Sequence, residues 1–333
     1  MWVLTIPIIL WVLAISSIGL LIFRKWKWAV ICFVSCLAIN WWTGTIPLNL
    51  FHYANTDDRD LRVAAYNIDC LGWGEKHEGW EEELVTFIEE TDADILFLSE
   101  FQYHNFGGYT HLLDTITTTK FFRQVVDVKY GRKDVVYSKY PISDFHRIDI
   151  NPKFCKSDSL YKEITVDYYQ RLLPMIYQMK VNVRGKDVQV VCCHLASNEF
   201  NVAKKMMKEK GIGGFWNNLS KGYIYREVEA KSIVDALDKS MPTILIGDLN
   251  DINGSPTLNI LKNAGLQDAW WQTGTGYGHT YYKQGLYFRL DHVMVSKDME
   301  VANVAIQKCK ASDHYPIVVD LKLLRFIATN NDT

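Results

Sequence analysis

The sequence predicts an α/β fold, a two-sheet α/β sandwich with helices on its outer faces, preceded by an N-terminal two-helix transmembrane hairpin. Three observations carry this. Two long runs without a charged residue open the chain. After residue 52, strand-like and helix-like stretches alternate with no long linker, low-complexity tract or internal repeat. Hairpins mixed with single helices favour packed sheets with helices outside. With 333 residues, 48% of them hydrophobic, the chain can bury a substantial core.

The first uncharged run covers Trp2 to Phe23 and the second Trp28 to Leu50. Each exceeds the roughly 20 residues that span a bilayer. The link between them, "RKWKW", is short enough to force a tight hairpin. Trp2, Trp26, Trp28, Trp41 and Trp42 fall near the ends of the runs, where indole rings favour the membrane interface. The competing readings are a cleaved signal peptide and a buried hairpin of a soluble fold. A signal peptide should open with a positive segment, and "MWVLT" has none. Arg24, Lys25 and Lys27 in the link place it on the cytoplasmic side and the large domain outside, giving an integral membrane protein with two spans. Arg59 and Arg62 weigh against that orientation, as does the cysteine pattern. The expected division is a hairpin over 1–50 (spans about 2–23 and 28–50), a linker over 51–60, a large domain over 61–324 and a tail over 325–333.

"LRVAAYN" (61–67), "DILFLSE" (94–100), "DVVYSK" (134–139), "MIYQMKVNV" (175–183), "DVQVVCCHL" (187–195), "TILIGD" (243–248), "YFRLDHVMVS" (287–296) and "PIVVDLKL" (316–323) have strand character. "VNVRGKDVQV" is a hairpin signal with Gly185 in the turn. Helical spacing marks 79–90 and 223–239, the latter with Ile224, Val228, Ile233, Val234 and Leu237 on an apolar stripe.

The whole chain sums to −2; beyond residue 48 it holds 33 basic against 38 acidic groups. That balance argues against a dedicated, tight DNA-binding module, although bound cations or a local basic patch leave a nucleic-acid substrate open. Seven cysteines, at 32, 36, 70, 155, 192, 193 and 309, show no CxxC pair, so neither a zinc site nor a disulfide framework is indicated.

Chemistry enters through position: polar groups recur at strand ends. Asn67 and Asp69 follow the first strand, Glu100 ends the second, and His194 ends a later one. Asp248, Asn250 and Asp251 close "ILIGDLND", Asp291 lies in "RLDHVMVS", and Ser312 to His314 precede the last strand. Each alone has an ordinary explanation as a turn former or solvated terminus. Together they offer carboxylates, amides and two histidines, with no serine or cysteine nucleophile beside a base. Such oxygen donors suit a hard cation, Mg2+ or Mn2+. A divalent ion and a carboxylate that takes a proton from water make a phosphoester hydrolase. Residues two apart on an extended strand face one way, which accounts for Asp248 and Asn250 acting together and leaves Asp251 as a turn residue.

"AAYNIDCLG", "ILFLSEFQ", "VVYSKYPI", "VVCCHLAS", "ILIGDLND", "YFRLDHVMVS" and "SDHYPIVVDL" resemble, in order and character, the endonuclease/exonuclease/phosphatase superfamily with its deoxyribonuclease I-like fold. The resemblance covers roughly 60–324. It implies Glu100 as principal metal ligand with Asn67 beside it, Asp69 as a further metal-site acid and Asp313 near the metal. It implies Asp248 as the residue preparing the water and Asn250 as a phosphate-holding amide. His314 then stabilises charge as the bond breaks, Asp291 orients it, and His194 is the second histidine, found in the deoxyribonuclease, sphingomyelinase and phosphatase branches. Arg226 stands where many members carry an arginine that supports the site, and both Arg226 and His279 are candidate substrate contacts. Cys192 and Cys193 should face opposite sides as core residues, and His292 should point away from the site.

The segment between His194 and residue 223 holds a basic cluster, Lys204, Lys205, Lys208 and Lys210, then a glycine-rich aromatic stretch. It reads either as a flap or membrane contact, or as a solvated helix and loop. The expected function is a membrane-tethered, metal-dependent nuclease or phosphodiesterase. A lipid or inositol-phosphate phosphoesterase is the alternative, and a non-catalytic scaffold the third. The partners implied are a phosphoester substrate and a membrane, with no obligate protein partner.

Overall fold

A computed structural model describes residues 5–49, 59–69, 78–102, 122–127, 132–168, 175–198, 200–283 and 285–324. Most of the expected linker, the expected tail and Cys70 lie outside the described residues.

Two six-stranded sheets form the sandwich. In the first the order is β13 (Met299–Ile306), β14 (Ile317–Leu323), β1 (Leu61–Asn67), β2 (Ile95–Gln102), β4 (Arg132–Ser138), β3 (Phe122–Asp127). In the second it is β5 (Ile142–Arg147), β6 (Met175–Val183), β7 (Lys186–His194), β8 (Thr243–Asp248), β12 (Asp291–Val295), β9 (Gln267–Asp268). A separate two-stranded ribbon pairs β10 (Tyr281–Lys283) with β11 (Leu286–Phe288). The stretch expected as one strand over 287–296 is therefore two, broken at Arg289 and Leu290. The hairpin at 184–185 is as expected: Arg184 and Gly185 both have positive φ, 51° and 86°, the twist a two-residue β-turn requires.

Between the sheets lies an apolar core including Val63, Phe97, Val190, Cys192, Ile246, Val293 and Val319. Helix α3 (Trp80–Thr91) covers the outer face of the first sheet, its Leu84, Phe87 and Ile88 packing on Tyr66, Leu96 and Leu98. Those three positions share one face at helical spacing. On the second sheet's outer face, Cys193, Leu245 and Met294 meet Ile233 of α4 (Phe200–Ala236) and Leu258 and Leu261 of α5 (Pro256–Asn263). Cys192 and Cys193 thus do separate onto opposite faces.

Helix α4 begins far earlier than the expected 223. Its first part takes in the basic cluster and the glycine-rich stretch, with a break at Gly211 (φ 67°, ψ −166°). Lys204, Lys205, Lys208 and Lys210 are exposed, as a solvated helix requires. Ile224, expected on the buried stripe, is turned outward; Tyr225, Val228 and Ser232 take that face.

At the N-terminus, α1 (Ile6–Ile22) and α2 (Trp26–Thr43) form an antiparallel pair, with Leu10 and Ala29 buried at its seam and Ser17 Oγ donating to the Ala29 carbonyl at 3.0 Å. The expected spans of 2–23 and 28–50 need correction. At 17 and 18 residues the helices reach about 26–27 Å at 1.5 Å per residue, under the roughly 30 Å of a bilayer's hydrocarbon. Among the described residues, no helix is long and apolar enough to cross a membrane. The second helix stops because Gly44 takes a left-handed cap at φ 61°. The following residues then dock on the large domain: the Gly44 carbonyl accepts from Asn253 Nδ2 at 2.7 Å, the Pro47 carbonyl from the Gly276 amide at 2.9 Å, and Asn49 Nδ2 donates to the Gly274 carbonyl at 2.8 Å.

Candidate active site

Strand register builds one row of the site. In the parallel pairing of β7 with β8, His194 lies opposite Asp248; in the antiparallel pairing of β8 with β12, Asp248 lies opposite Asp291. Directly paired residues project to the same face, so three residues far apart in sequence stand abreast. The adjacent row, Cys193, Gly247 and His292, projects the other way. Gly247 has φ 140°, and a Cβ there would collide with the Cys193 carbonyl oxygen, so the strand needs glycine beside its terminal aspartate.

The other sheet supplies the opposite wall. Asn67 ends β1 and is buried; its Nδ2 donates to Glu100 Oε1 and to Asp248 Oδ2, both at 3.1 Å, tying the two sheets together. Glu100 sits where the β2–β4 register slips, with φ 56°, and its backbone amide donates to Asp134 Oδ1 at 2.9 Å. Asp69 and Asn250 also have positive φ, 46° and 50°. Left-handed backbone at three non-glycine residues of one site costs conformational energy that the surrounding bonds offset. Ser312 to His314, in the loop before β14, close the site: His314 Nδ1 meets Asp291 Oδ2 at 2.7 Å, and its Nε2 lies 3.9 Å from Asp248 Oδ2.

Electrostatics follow from burial and these neighbours. Burial alone would lower the His314 pKa, but the Asp291 carboxylate, through charge and hydrogen bond, pushes it up to about 10. His314 is therefore an imidazolium at neutral pH. For His194 burial again opposes the charged form, but Glu100 at 3.6 Å and Asp248 at 4.0 Å prevail and raise its pKa. Asp248 is raised above its ordinary value by burial and by the charge of Asp291, against the two histidines.

Asn67, Asp69, Glu100, His194, Asp248, Asn250, Asp313 and His314 line one cavity of about 390 Å³. The Endonuclease/Exonuclease/phosphatase family model matches residues 64–314, more than half of the chain. The chain belongs to the endonuclease/exonuclease/phosphatase family. No curated protein matches the sequence. Among solved structures, an endonuclease/exonuclease/phosphatase from Beutenbergia cavernae is 20% identical with a TM-score of 0.56, covering 80% of this chain and 72% of its own. The human Nocturnin catalytic domain with bound sulfate is 15% identical at TM-score 0.56, covering 83% and 99%. D. rerio TDP2 complexed with a single-strand DNA product is 15% identical at TM-score 0.53, covering 79% and 98%. At these identities the structures share the fold, the two-sheet sandwich of this family.

Members of the family are divalent-metal-dependent hydrolases of phosphoester bonds. The residues present fit such an ion: Asn67, Asp69, Glu100 and Asp313 offer hard oxygen donors on one cavity, and crowded carboxylates there favour a compensating cation. Asp248, Asp291 and His314 also bring one ligand atom each within 4.8 Å of one another. An imidazolium has no lone pair for a metal, so this trio suits proton handling better than ligation.

The expected family residues need several corrections of placement. Asn250 does not share the face of Asp248 through strand alternation, because β8 ends at Asp248. Its left-handed turn is set by its own amide donating to Asp248 Oδ1 at 2.8 Å, and Nδ2 donates to the Leu195 carbonyl at 2.9 Å. Asp251 is no mere turn residue: fully buried, it accepts from Arg226 Nε at 3.2 Å and Thr257 Oγ1 at 2.8 Å. Arg226 is itself fully buried and does not line the cavity, so it is not a substrate contact. It donates to the Ala196 carbonyl at 2.6 Å and Asn198 Oδ1 at 3.0 Å, holding the loop after His194. His279 lies outside the cavity too, edge-on to Tyr287 at 5.2 Å. His292 points away as expected, bonded to the Asp251 carbonyl and Arg289.

Sequence reasoning missed the β10–β11 ribbon, which brings Tyr281, Lys283 and Leu286 to the cavity; Ser197, Asn198, Val202 and Leu290 complete its lining. The signal was present in "YYKQGLYF", aromatic residues around a glycine that takes φ 75°.

Proposed function

We propose that the chain is a Mg2+- or Mn2+-dependent phosphodiesterase of the nuclease type. The observation that carries this is the His194, Asp248, Asp291 row with His314 held on Asp291, which puts His194, Asp248 and His314 in one cavity with Asn67 and Glu100. Asp248 accepts the proton of the attacking water. His314 presents positive charge to the phosphate as negative charge builds, and Asp291 fixes its tautomer and orientation. Asn250, on the cavity wall, contacts a phosphate oxygen. Asn67 and Glu100 hold the divalent cation, with Asp69 and Asp313 as further acids around it; when bound, the ion neutralises phosphate charge. The DNA product in the D. rerio TDP2 structure supports a nucleic-acid substrate.

A lipid phosphoester is the second reading, favoured by the N-terminal hairpin. Ile8, Ile9, Trp11, Val12, Ile15 and Ile18 of α1 and Phe33, Trp41 and Trp42 of α2 are exposed, so a broad apolar surface is presented by both helices. We propose on that ground that the hairpin anchors the chain to a membrane surface through its exposed apolar side chains.

The test is hydrolysis by the full chain with Mg2+ or Mn2+ of single- and double-stranded DNA, RNA, sphingomyelin and phosphatidylinositol phosphates, each against Asp248→Asn. Nucleic-acid cleavage lost in the variant is the expected result. Cleavage of lipid alone would replace the first reading with the second. Activity on none of them by the folded protein would refute both.

A further inference from the structure

The β10–β11 ribbon puts one cation inside a cluster of acids. Tyr281 and Lys283, two apart on β10, both face the cavity. Lys283 Nζ lies 2.8 Å from Asp313 Oδ2 and 3.8 Å from Asp69 Oδ2, bridging two carboxylates of the cavity wall. The bridge is positioned by the backbone on its N-terminal side. Tyr281 pairs with His314 in an isolated β-bridge and packs edge-on to its ring at 5.1 Å. The Tyr282 amide donates to the Asp313 carbonyl at 3.0 Å, its hydroxyl donates to the Ser312 carbonyl at 2.5 Å, and its ring stacks on Tyr315 at 4.2 Å. Lys283 is thus delivered to Asp313 by a ribbon laced to the very loop that carries Asp313 and His314.

We propose that the Lys283 ammonium takes the place between Asp69 and Asp313 that a second divalent cation would occupy, making this a single-ion site whose metal is held on the Asn67 and Glu100 side. The inference rests on the metal-dependent reading above. A lysine ammonium is a compact, strongly hydrated point charge, the organic group nearest in character to a small hard cation. Being tethered, it competes at an effective concentration of about millimolar or higher, against which a free ion must bind. Lys283 keeps 42% of its side chain exposed, and an ion pair so open to solvent adds little stability, so loss of the lysine should leave the fold intact. Without it, one positive charge is removed from between the two carboxylates, which favours a divalent ion there.

The experiment is titration of the full chain with Mn2+ alone, counting bound ions by electron paramagnetic resonance, with thermal unfolding as the control for folding. One ion per chain is expected for the parent and for Lys283→Arg, two for Lys283→Met, and one again for Lys283→Met combined with Asp69→Asn. Two ions in the parent, or one in folded Lys283→Met, would overturn the proposal. So would loss of the single ion in Asp69→Asn, because Asp69 would then be serving metal rather than Lys283. No bound ion in any form would instead remove the metal-dependent reading, and the inference with it.

Discussion

The ion pair of His314 with Asp291 bears on stability and, under the proposed mechanism, on rate. The folded pKa of His314, about 10, exceeds the ordinary value of about 6.5 that it regains on unfolding. The pair's contribution to stability is therefore fully present below 6.5 and is lost as pH rises through 10. Activity that needs the imidazolium should fall on the same alkaline limb. On the acid side, Asp248 must be ionised to accept a proton, and its raised pKa moves that limb above the ordinary carboxylate range near 4. The expected kcat/KM profile is a bell between these limbs. Asp291→Asn should bring the alkaline limb down by about one pH unit or more, because Asp291 is the leading cause that raises His314; an unmoved limb would refute this role. Asp248→Asn should cost about 100-fold or more in kcat in a protein that still folds, which circular dichroism checks.

At the scale of elements, β8 and its turn form the component everything else is aligned to. Gly247→Ala should destabilise strongly, by about 2 kcal/mol or more, because the added Cβ meets backbone rather than a side chain that can move. Urea unfolding measures this, and a change under 0.5 kcal/mol would show that the strand tolerates another conformation. Behind the turn, Arg226→Met should cost about 3–5 kcal/mol by leaving Asp251 buried without its guanidinium. Its effect on turnover should exceed that of an exposed lysine of α4, since the loops carrying Asn198 and Asn250 lose their common support. Much of this was legible beforehand: β1, β6 and β8 coincide with the stretches read from alternation and apolar runs. The β10–β11 ribbon was not, because three-residue strands leave almost no periodicity to read. The continuation of α4 through 200–222 was hidden by Gly211, Gly213 and Gly214, which ordinarily mark a loop.

For the whole molecule, two bodies of opposite character are joined through residues 44–49. The catalytic sandwich buries its apolar surface between and around its sheets, whereas the hairpin leaves Trp41 and Trp42 each 85% exposed. Surface of that kind is covered by lipid or protein, or else drives aggregation. After cell disruption the full chain should sediment with membranes, resist alkaline carbonate and require detergent for extraction; recovery as a soluble monomer without detergent would refute the anchor. Because 44–49 bond to the 253 and 274–276 loops, changing those contacts should alter how the domain sits on the hairpin without touching the cavity.

By itself the sequence determined the family and the chemical inventory. Apolar strands ending in acids, amides and histidines are local patterns, and seven motifs in order are enough to identify the donors. It also determined that Cys192 and Cys193 part company, since alternation is a property of any strand. Only the tertiary structure decided which donors meet. The parallel register of β7 on β8 and the antiparallel register of β12 on β8 place His194, Asp248 and Asp291 abreast, and a slip of one residue in either would turn a member to the opposite face. Tertiary structure likewise decided that Arg226 supports rather than touches the site, that Asp251 is buried, and that Lys283 joins the acids. Burial and ion pairing depend on contacts between residues tens to hundreds of positions apart, and no local pattern encodes those distances.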